Sequence, residues 1–173
     1  MGITWELGHI AYAVADLDAA MKQFQEAYDG HWADPVELNT DWKSARTGAT
    51  EHVTGTAVWL VGPQPPIELW HGPAGGPFDV GSASIVQHHI GYFCPDLAGQ
   101  IQRLQGLGYV VEFTPATGPD SPPTDGDFRG WAYLRHPDGS RIELQRAADK
   151  PGIERWLAGG PLRLDWSEGF FAE

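Results

Sequence analysis

The chain has one cysteine, Cys94, among 173 residues. A single thiol forms neither an intramolecular disulfide nor a thiolate zinc cluster. The fold must therefore rest on packing, and any metal must be held by imidazoles and carboxylates. Basic residues are scarce as well: 11 Lys and Arg stand against 23 Asp and Glu, for a formal charge of -12. Such a chain repels nucleic-acid phosphates and anionic lipid headgroups, which argues against both as partners and favours solubility. No apolar run approaches the ~20 residues of a membrane span, and the N-terminus lacks the basic and apolar segments of a secretory leader. A cytoplasmic protein is expected. A phosphate-cradling glycine loop, a dinucleotide fingerprint and a Ser-His-Asp arrangement are also missing.

What is present is a repeat. Gly8-His9-Ile10-Ala11-Tyr12 followed by Asp16-Leu17 returns, 80 residues on, as His88-His89-Ile90-Gly91-Tyr92 followed by Asp96-Leu97. The match continues where Met21 and Phe24 meet Ile101 and Leu104, and Ile67-Glu68-Leu69 recurs as Ile142-Glu143-Leu144 at an offset of 75. Two copies of one supersecondary unit are the simplest explanation.

Each copy opens on an alternating run with aromatic and β-branched residues, Leu7 to Val14 and His88 to Cys94, which predicts a strand. A helix follows in each. The first carries Leu17, Ala20, Met21, Phe24, Ala27 and Tyr28 at helical spacing, with Asp16 or Asp18 to cap it and Gly30 to end it. The second carries Leu97, Ile101 and Leu104 after Asp96, with Gly106 and Gly108 as stops. Hairpins Thr56–Val61 into Ile67–Trp70 and Gly130–Arg135 into Ser140–Gln145 come next. Tyr109 to Phe113 supplies one more strand, with its counterpart near Pro35 to Thr40.

The expected fold is thus α+β: two tandem βαβββ modules forming a cupped mixed sheet. Residues 1–148 make one domain, of which 1–71 are module one, 72–84 a linker and 85–148 module two. Residues 149–173 form an aromatic extension that packs on the body or on a partner subunit. The Pro/Gly-rich stretch from Thr114 to Arg129 reads equally as a lid or a surface loop.

Strand alternation decides which side chains share a face. Ile10, Tyr12 and Val14 must meet the helix, which turns His9, Ala11 and Ala13 the other way. The repeat does the same for His89, Gly91 and Phe93. Glu68 and Glu143, each bracketed by aliphatic neighbours, also leave the helix layer, and a carboxylate so placed needs a partner, solvent or a metal. His9, Glu68, His89 and Glu143 are therefore expected to hold one divalent metal ion on the concave face. The repeat sets His88 opposite Gly8, towards the helix side or a strand end. Ala11 and Gly91 would leave space for a ligand, while Trp70, Phe93, Trp131 and Tyr133 are candidate walls of a substrate pocket.

On the His-containing first strands, and on His136-Pro137-Asp138-Gly139 leading to Ile142-Glu143-Leu144, the sequence resembles the vicinal-oxygen-chelate superfamily of glyoxalase I, bleomycin resistance proteins and extradiol dioxygenases. The resemblance extends to about Ala148. It implies a cupped sheet around a metal whose ligands come from the first and last strand of each unit. The His-Glu-His-Glu order of His9, Glu68, His89 and Glu143 is similar to that of bacterial-type glyoxalase I. Extradiol dioxygenases leave the Glu68 position without a ligand. Methylmalonyl-CoA epimerase places Gln there and a further catalytic Glu where this chain has Val58. The basic cluster that glyoxalase I presents to glutathione carboxylates is not evident here.

A metal bound to two adjacent substrate oxygens would stabilise the enediolate left when a proton departs next to a carbonyl. Glu143 is the expected base and Glu68 its partner, with the roles open to exchange. The expected protein is a homodimeric, metal-dependent glyoxalase-like isomerase, lyase or epimerase acting on a small oxygenated substrate. The alternatives are an extradiol-type ring-cleaving dioxygenase and a non-catalytic resistance protein that binds a small molecule. The metal could be Zn, Ni, Co, Mn or Fe.

Overall fold

The computed structural model describes residues 4–44, 47–115 and 130–162. Most of the segment expected to be a lid or loop, and Trp166, Phe170 and Phe171 of the extension, lie outside the described residues. Module one runs β1 (Glu6–Val14), α1 (Leu17–Ala27), a two-residue β2 (His31–Trp32), β3 (Val36–Ser44), β4 (Thr50–Val61) and β5 (Ile67–His71). Module two runs β6 (Ile85–Cys94), α2 (Leu97–Gln105), β7 (Val110–Pro115), β8 (Trp131–Arg135) and β9 (Arg141–Arg146). Apart from β2, this is βαβββ written twice. A short turn then leads into α3 (Lys150–Leu157).

Local chemistry explains the helix limits. Asp16 caps α1 by accepting from the Ala19 amide at 2.9 Å, and Asp96 caps α2 through the Gly99 amide at 3.0 Å. Each satisfies a donor that a helix start leaves unpaired. After α2 the chain reverses through Gly108 at φ 94°, a left-handed position that glycine adopts without cost. In α1 the buried stripe is shorter than expected. Ala20 and Phe24 are buried, but Ala27, the last residue of α1, and Tyr28, its cap, are exposed.

All nine strands join one mixed sheet in the order β2-β4-β3-β7-β8-β9-β6-β1-β5, and β5 also pairs with β4. The sheet therefore curls into a cup. Within each module the first strand lies parallel to the last, with Ala11 opposite Glu68 in one and Gly91 opposite Glu143 in the other. The modules meet along antiparallel β1 and β6, where Ile10 faces Ile90, its own repeat counterpart. They meet again at β3 and β7, where the described residues pair Trp42 with Pro115, Lys43 with Thr114 and Ser44 with Phe113.

Two strands outrun the expectation. β4 starts at Thr50 instead of Thr56, and β3 continues to Ser44. The added stretch is mostly polar and exposed, with Val53 alone buried in Thr50–Gly55. Its exposed face is held by a cross-strand cluster in which His52 contacts Asp41 at 2.8 Å and Asn39 at 2.9 Å.

The outer face packs under the helices. Phe24 and Ala20 bury against Val14, Leu60 and Leu69, while Ile101 and Leu104 bury against Cys94, Leu134 and Leu144. Phe24→Ala and Leu104→Ala should each cost about 2–5 kcal/mol in denaturant unfolding. Wild-type midpoints in both variants would contradict this packing. The inner face carries Ala11, Ala13, Trp42, Trp70, Trp131 and Tyr133. Helix α3 closes a fourth cluster by setting Ile153, Trp156 and Leu157 against Trp59 and Phe93.

Candidate metal centre

The matched registers bring four side chains to one point. His9 projects from β1 opposite Gly91, His89 from β6 opposite Ala11, Glu68 from β5 and Glu143 from β9. His9 Nε2 and His89 Nε2 lie 2.9 Å apart. Glu143 Oε2 is 3.2 Å from the first and 3.3 Å from the second, and Glu68 Oε2 is 3.4 Å from both. All four residues are at most 5% exposed.

Two buried carboxylates need positive charge nearby, or desolvation would neutralise them. Among the described residues, their only ion-pair partners are the two histidines. Burial pushes the Glu143 carboxyl up, but hydrogen bonds and charge from His89 and His9 outweigh it and hold the group at about 2. Burial likewise lowers His89, yet Glu143 and Glu68 more than reverse this and raise it above its ordinary value. Such an arrangement of charge could hold a cation. Tyr133, walled in beside it, is held well above the usual phenol value by burial and by those carboxylates, so it remains protonated.

The spacing suits a metal. Bonds of about 2.0–2.1 Å place tetrahedral donors about 3.3 Å apart and adjacent octahedral donors about 2.9 Å apart, which brackets the separations seen here. His9, Glu68 and His89 offer donor atoms all within 4.8 Å of one another. Glu68 Oε2 has no hydrogen-bond partner, whereas its Oε1 accepts from the Trp59 indole at 2.8 Å. One oxygen is anchored and the other is turned to the centre.

Several residues around the centre escaped the sequence reading. Trp59 anchors Glu68 and tilts against the His9 ring with centroids 4.6 Å apart. It faces Glu68 across β4–β5 just as Tyr133 faces Glu143 across β8–β9, so hairpin register was the signal that could have found it. His88 needs a correction. It does not turn to the helix side, because β6 bulges there: Ala11 pairs with His89 and Tyr12 with Gln87, leaving His88 unpaired in the ladder. A bulge re-aims its side chain. His88 is buried, with Nδ1 2.7 Å from His89 Nδ1 and Nε2 3.0 Å from the Pro77 carbonyl. Arg141 also touches that Nε2. Burial, His89 and Arg141 together hold His88 well below the usual histidine value, hence neutral.

Gly91 is corrected too. A Cβ there would lie 2.1 Å from His9 Cε1, so its missing side chain makes room for the His9 ring and not for a bound ligand. Of the four expected walls, Trp70, Trp131 and Tyr133 line a cavity of about 60 Å³ that reaches Glu68 and Glu143. Phe93 does not line it and instead packs with α3. Trp42 and Trp59 complete the wall, together with Trp156 from the extension. His31, His52 and His136 stay away from the cavity, and His71 bonds the Val14 carbonyl.

A cup of paired βαβββ modules with two imidazoles and two carboxylates meeting on its inner face defines a class of small metal-centred folds. Residues 8–127 match the family described as the Glyoxalase/Bleomycin resistance protein/Dioxygenase superfamily, and the chain belongs to that superfamily. No curated protein matches the sequence. Among solved structures, a hypothetical protein of Bacillus halodurans is 16% identical with a TM-score of 0.51, over 83% of this chain and 94% of its own. Methylmalonyl-CoA epimerase of Mycobacterium tuberculosis is 18% identical with a TM-score of 0.49, over 87% and 93%. The Streptomyces coelicolor enzyme in complex with 2-nitronate-propionyl-CoA is 17% identical with a TM-score of 0.48, over 85% and 99%. These likenesses are of fold. No described helix is long and apolar enough to cross a membrane.

Proposed function

We propose that His9, Glu68, His89 and Glu143 hold one divalent metal ion, and that the chain is a glyoxalase-like isomerase, lyase or epimerase. The observation that supports this best is a buried site in which the two histidine Nε2 atoms lie 2.9 Å apart and each is within 3.4 Å of both carboxylates, whose only ion-pair partners among the described residues are those histidines. When bound, the ion would polarise two adjacent oxygens of a small substrate and stabilise the enediolate formed on proton loss.

The two carboxylates are not equivalent. Both line the cavity, but Trp59 clamps Glu68, while Glu143 has no comparable indole donor among the described residues. Glu143 is the freer of the two. It takes the proton from the carbon next to the carbonyl, and Glu68 stays in place to balance charge. Tyr133, opposite Glu143 and protonated, offers a wall that does not compete for that proton.

His88 orients the centre. For His89 Nε2 to face a metal, its Nδ1 must carry the proton, which His88 Nδ1 accepts in the tautomer whose Nε2–H donates to Pro77, and in that tautomer Nε2 takes no hydrogen bond from Arg141. His88→Ala should weaken metal affinity by about 10–100-fold in competition with a chelator. Unchanged affinity would reduce His88 to a packing residue.

Two measurements test the proposal. Elemental analysis should find one divalent metal per chain after purification without affinity-tag metals. In D2O, the metal-loaded protein should exchange a carbon-bound proton of a 2-hydroxy-carbonyl, thiohemiacetal or thioester compound that binds it. If a compound that binds shows no exchange across several metals, while oxygen is consumed with Fe(II), the chain is a ring-cleaving dioxygenase instead.

A further inference from the structure

A second cavity, of about 550 Å³, lies beyond His88, and its described lining includes none of His9, Glu68, His89 and Glu143. His88 marks the division: its Nδ1 faces His89, while its Nε2 is touched by Arg141, which lines this cavity. The linker divides the two spaces as well. Pro77 lines the outer cavity, whereas Phe78 is buried and packs on Trp42 and Trp70 of the inner one. The outer volume falls within the ~300–1,000 Å³ of small-molecule pockets.

In a chain with 11 Lys and Arg, two arginines meet at this one cavity. Arg135 Nε donates to Glu112 Oε1 at 2.5 Å and Arg141 Nε donates to Glu112 Oε2 at 2.6 Å, so one carboxylate is shared by two guanidinium groups. Arg135 Nη1 also donates to the Gly139 carbonyl at 3.1 Å, and Arg141 Nη1 touches His88. Both forks are thereby held in place. Among the described residues no group accepts from Nη2 of either arginine, although the Arg141 side chain is only 10% exposed. Guanidinium groups in that state suit an oxyanion, which takes paired N–H bonds from a planar fork.

The other carboxylates of the cavity are already engaged. Asp79 accepts from the Gly75 and Gly81 amides at 2.7 and 2.8 Å, and Glu51 accepts from the Thr47 hydroxyl at 3.3 Å. Val110, Phe113 and Pro137 add apolar surface beside the arginines, which suits the carbon body of a ligand.

We infer that the outer cavity is a second binding site, for a small organic anion whose carboxylate or phosphate group is held by Arg135 and Arg141. The site uses none of the four side chains of the metal-centre reading and stands apart from it.

Phenyl phosphate and benzoate serve as probes, with benzyl alcohol as the uncharged counterpart. Each is titrated calorimetrically into the full chain at constant ionic strength, as purified and again after chelator treatment and dialysis. Saturable binding of at least one of the anions, at one site per chain, is expected, and benzyl alcohol should bind at least about ten-fold more weakly. Arg135→Gln and Arg141→Gln should each weaken the anion about ten-fold or more. Glu112→Gln removes the competing carboxylate and should tighten it. Thermal melts check that the variants fold, and Arg135, the more exposed of the two arginines, keeps the test decisive if Arg141→Gln does not fold. Binding of neither anion, equal binding of the alcohol, wild-type affinity in Arg135→Gln or weaker binding in Glu112→Gln overturns the inference. Binding that disappears with the metal also overturns it, because the anion would then belong to the metal centre. If the purified chain carries no metal and the anion still binds, the metal reading fails and the outer site stands.

Discussion

Glu143→Gln should lower proton exchange between a bound substrate and D2O by on the order of 10² or more, because the amide keeps the size of the side chain and loses its basicity. The geometry makes the test selective. Glu143 lines the cavity and its Oε2 lies 3.2 and 3.3 Å from the two histidine nitrogens, so the substitution changes one atom at the centre of the cluster. Metal content must be measured in the same sample, since a lost ion would imitate a lost base. Retained metal with wild-type exchange would show that Glu143 is not the base. The same substitution at Glu68 would then be the next test.

Gly91→Ala is expected to be the most damaging single methyl among the described glycines. The new Cβ would overlap the His9 ring at three atoms, Cε1 at 2.1 Å and both ring nitrogens at 2.5 Å. Neither partner can yield cheaply: Gly91 is a buried position in a central strand paired on both sides, and His9 is fully buried against Trp59. Overpacking of this kind costs about 1–3 kcal/mol, and here it displaces the His9 ring, a proposed metal ligand, as well. The expected result is a folded, less stable chain that loses most of its bound metal, read by thermal melting and elemental analysis. Ala11→Gly, at the corresponding place in module one, serves as a control because it adds no atom. Full metal occupancy in Gly91→Ala would mean that His9 does not ligate from the position described.

Much of this was legible in the sequence, for reasons that can be traced to particular residues. The offset of 80 between His9 and His89 and of 75 between Glu68 and Glu143 made the duplication visible. The alternation around Ile10 and Ile90 then separated helix-facing from cup-facing side chains. What failed to show was whatever breaks that alternation. His88 was misplaced because a bulge adds a residue without any sign in composition. Gly91 was read as room for a substrate because the size of a residue says nothing about what fills the space. The strand extensions at Thr50–Gly55 and Asp41–Ser44 were missed because they are paired by polar cross-strand contacts, not by an apolar period. Trp42 and Trp156 come from a strand and a helix distant in sequence from either histidine, and only the closure of the sheet and the docking of α3 bring them to the cavity.

The two seams between the modules are of unequal strength. Among the described residues, β1 and β6 are joined over eight paired positions, β3 and β7 over three. Local opening follows the weakest set of contacts, so the clasp at Trp42–Ser44 is where the cup would part first while the ligand-bearing strands remain joined. Val36, Glu37 and Leu38 at the cavity lie on β3 just beyond that clasp. Release of three pairs would thus widen the entrance without dismantling the centre. In amide hydrogen exchange the division would appear as a fast-opening seam at one side of the barrel and a slow one at the other, giving an enclosed chamber a hinge of its own.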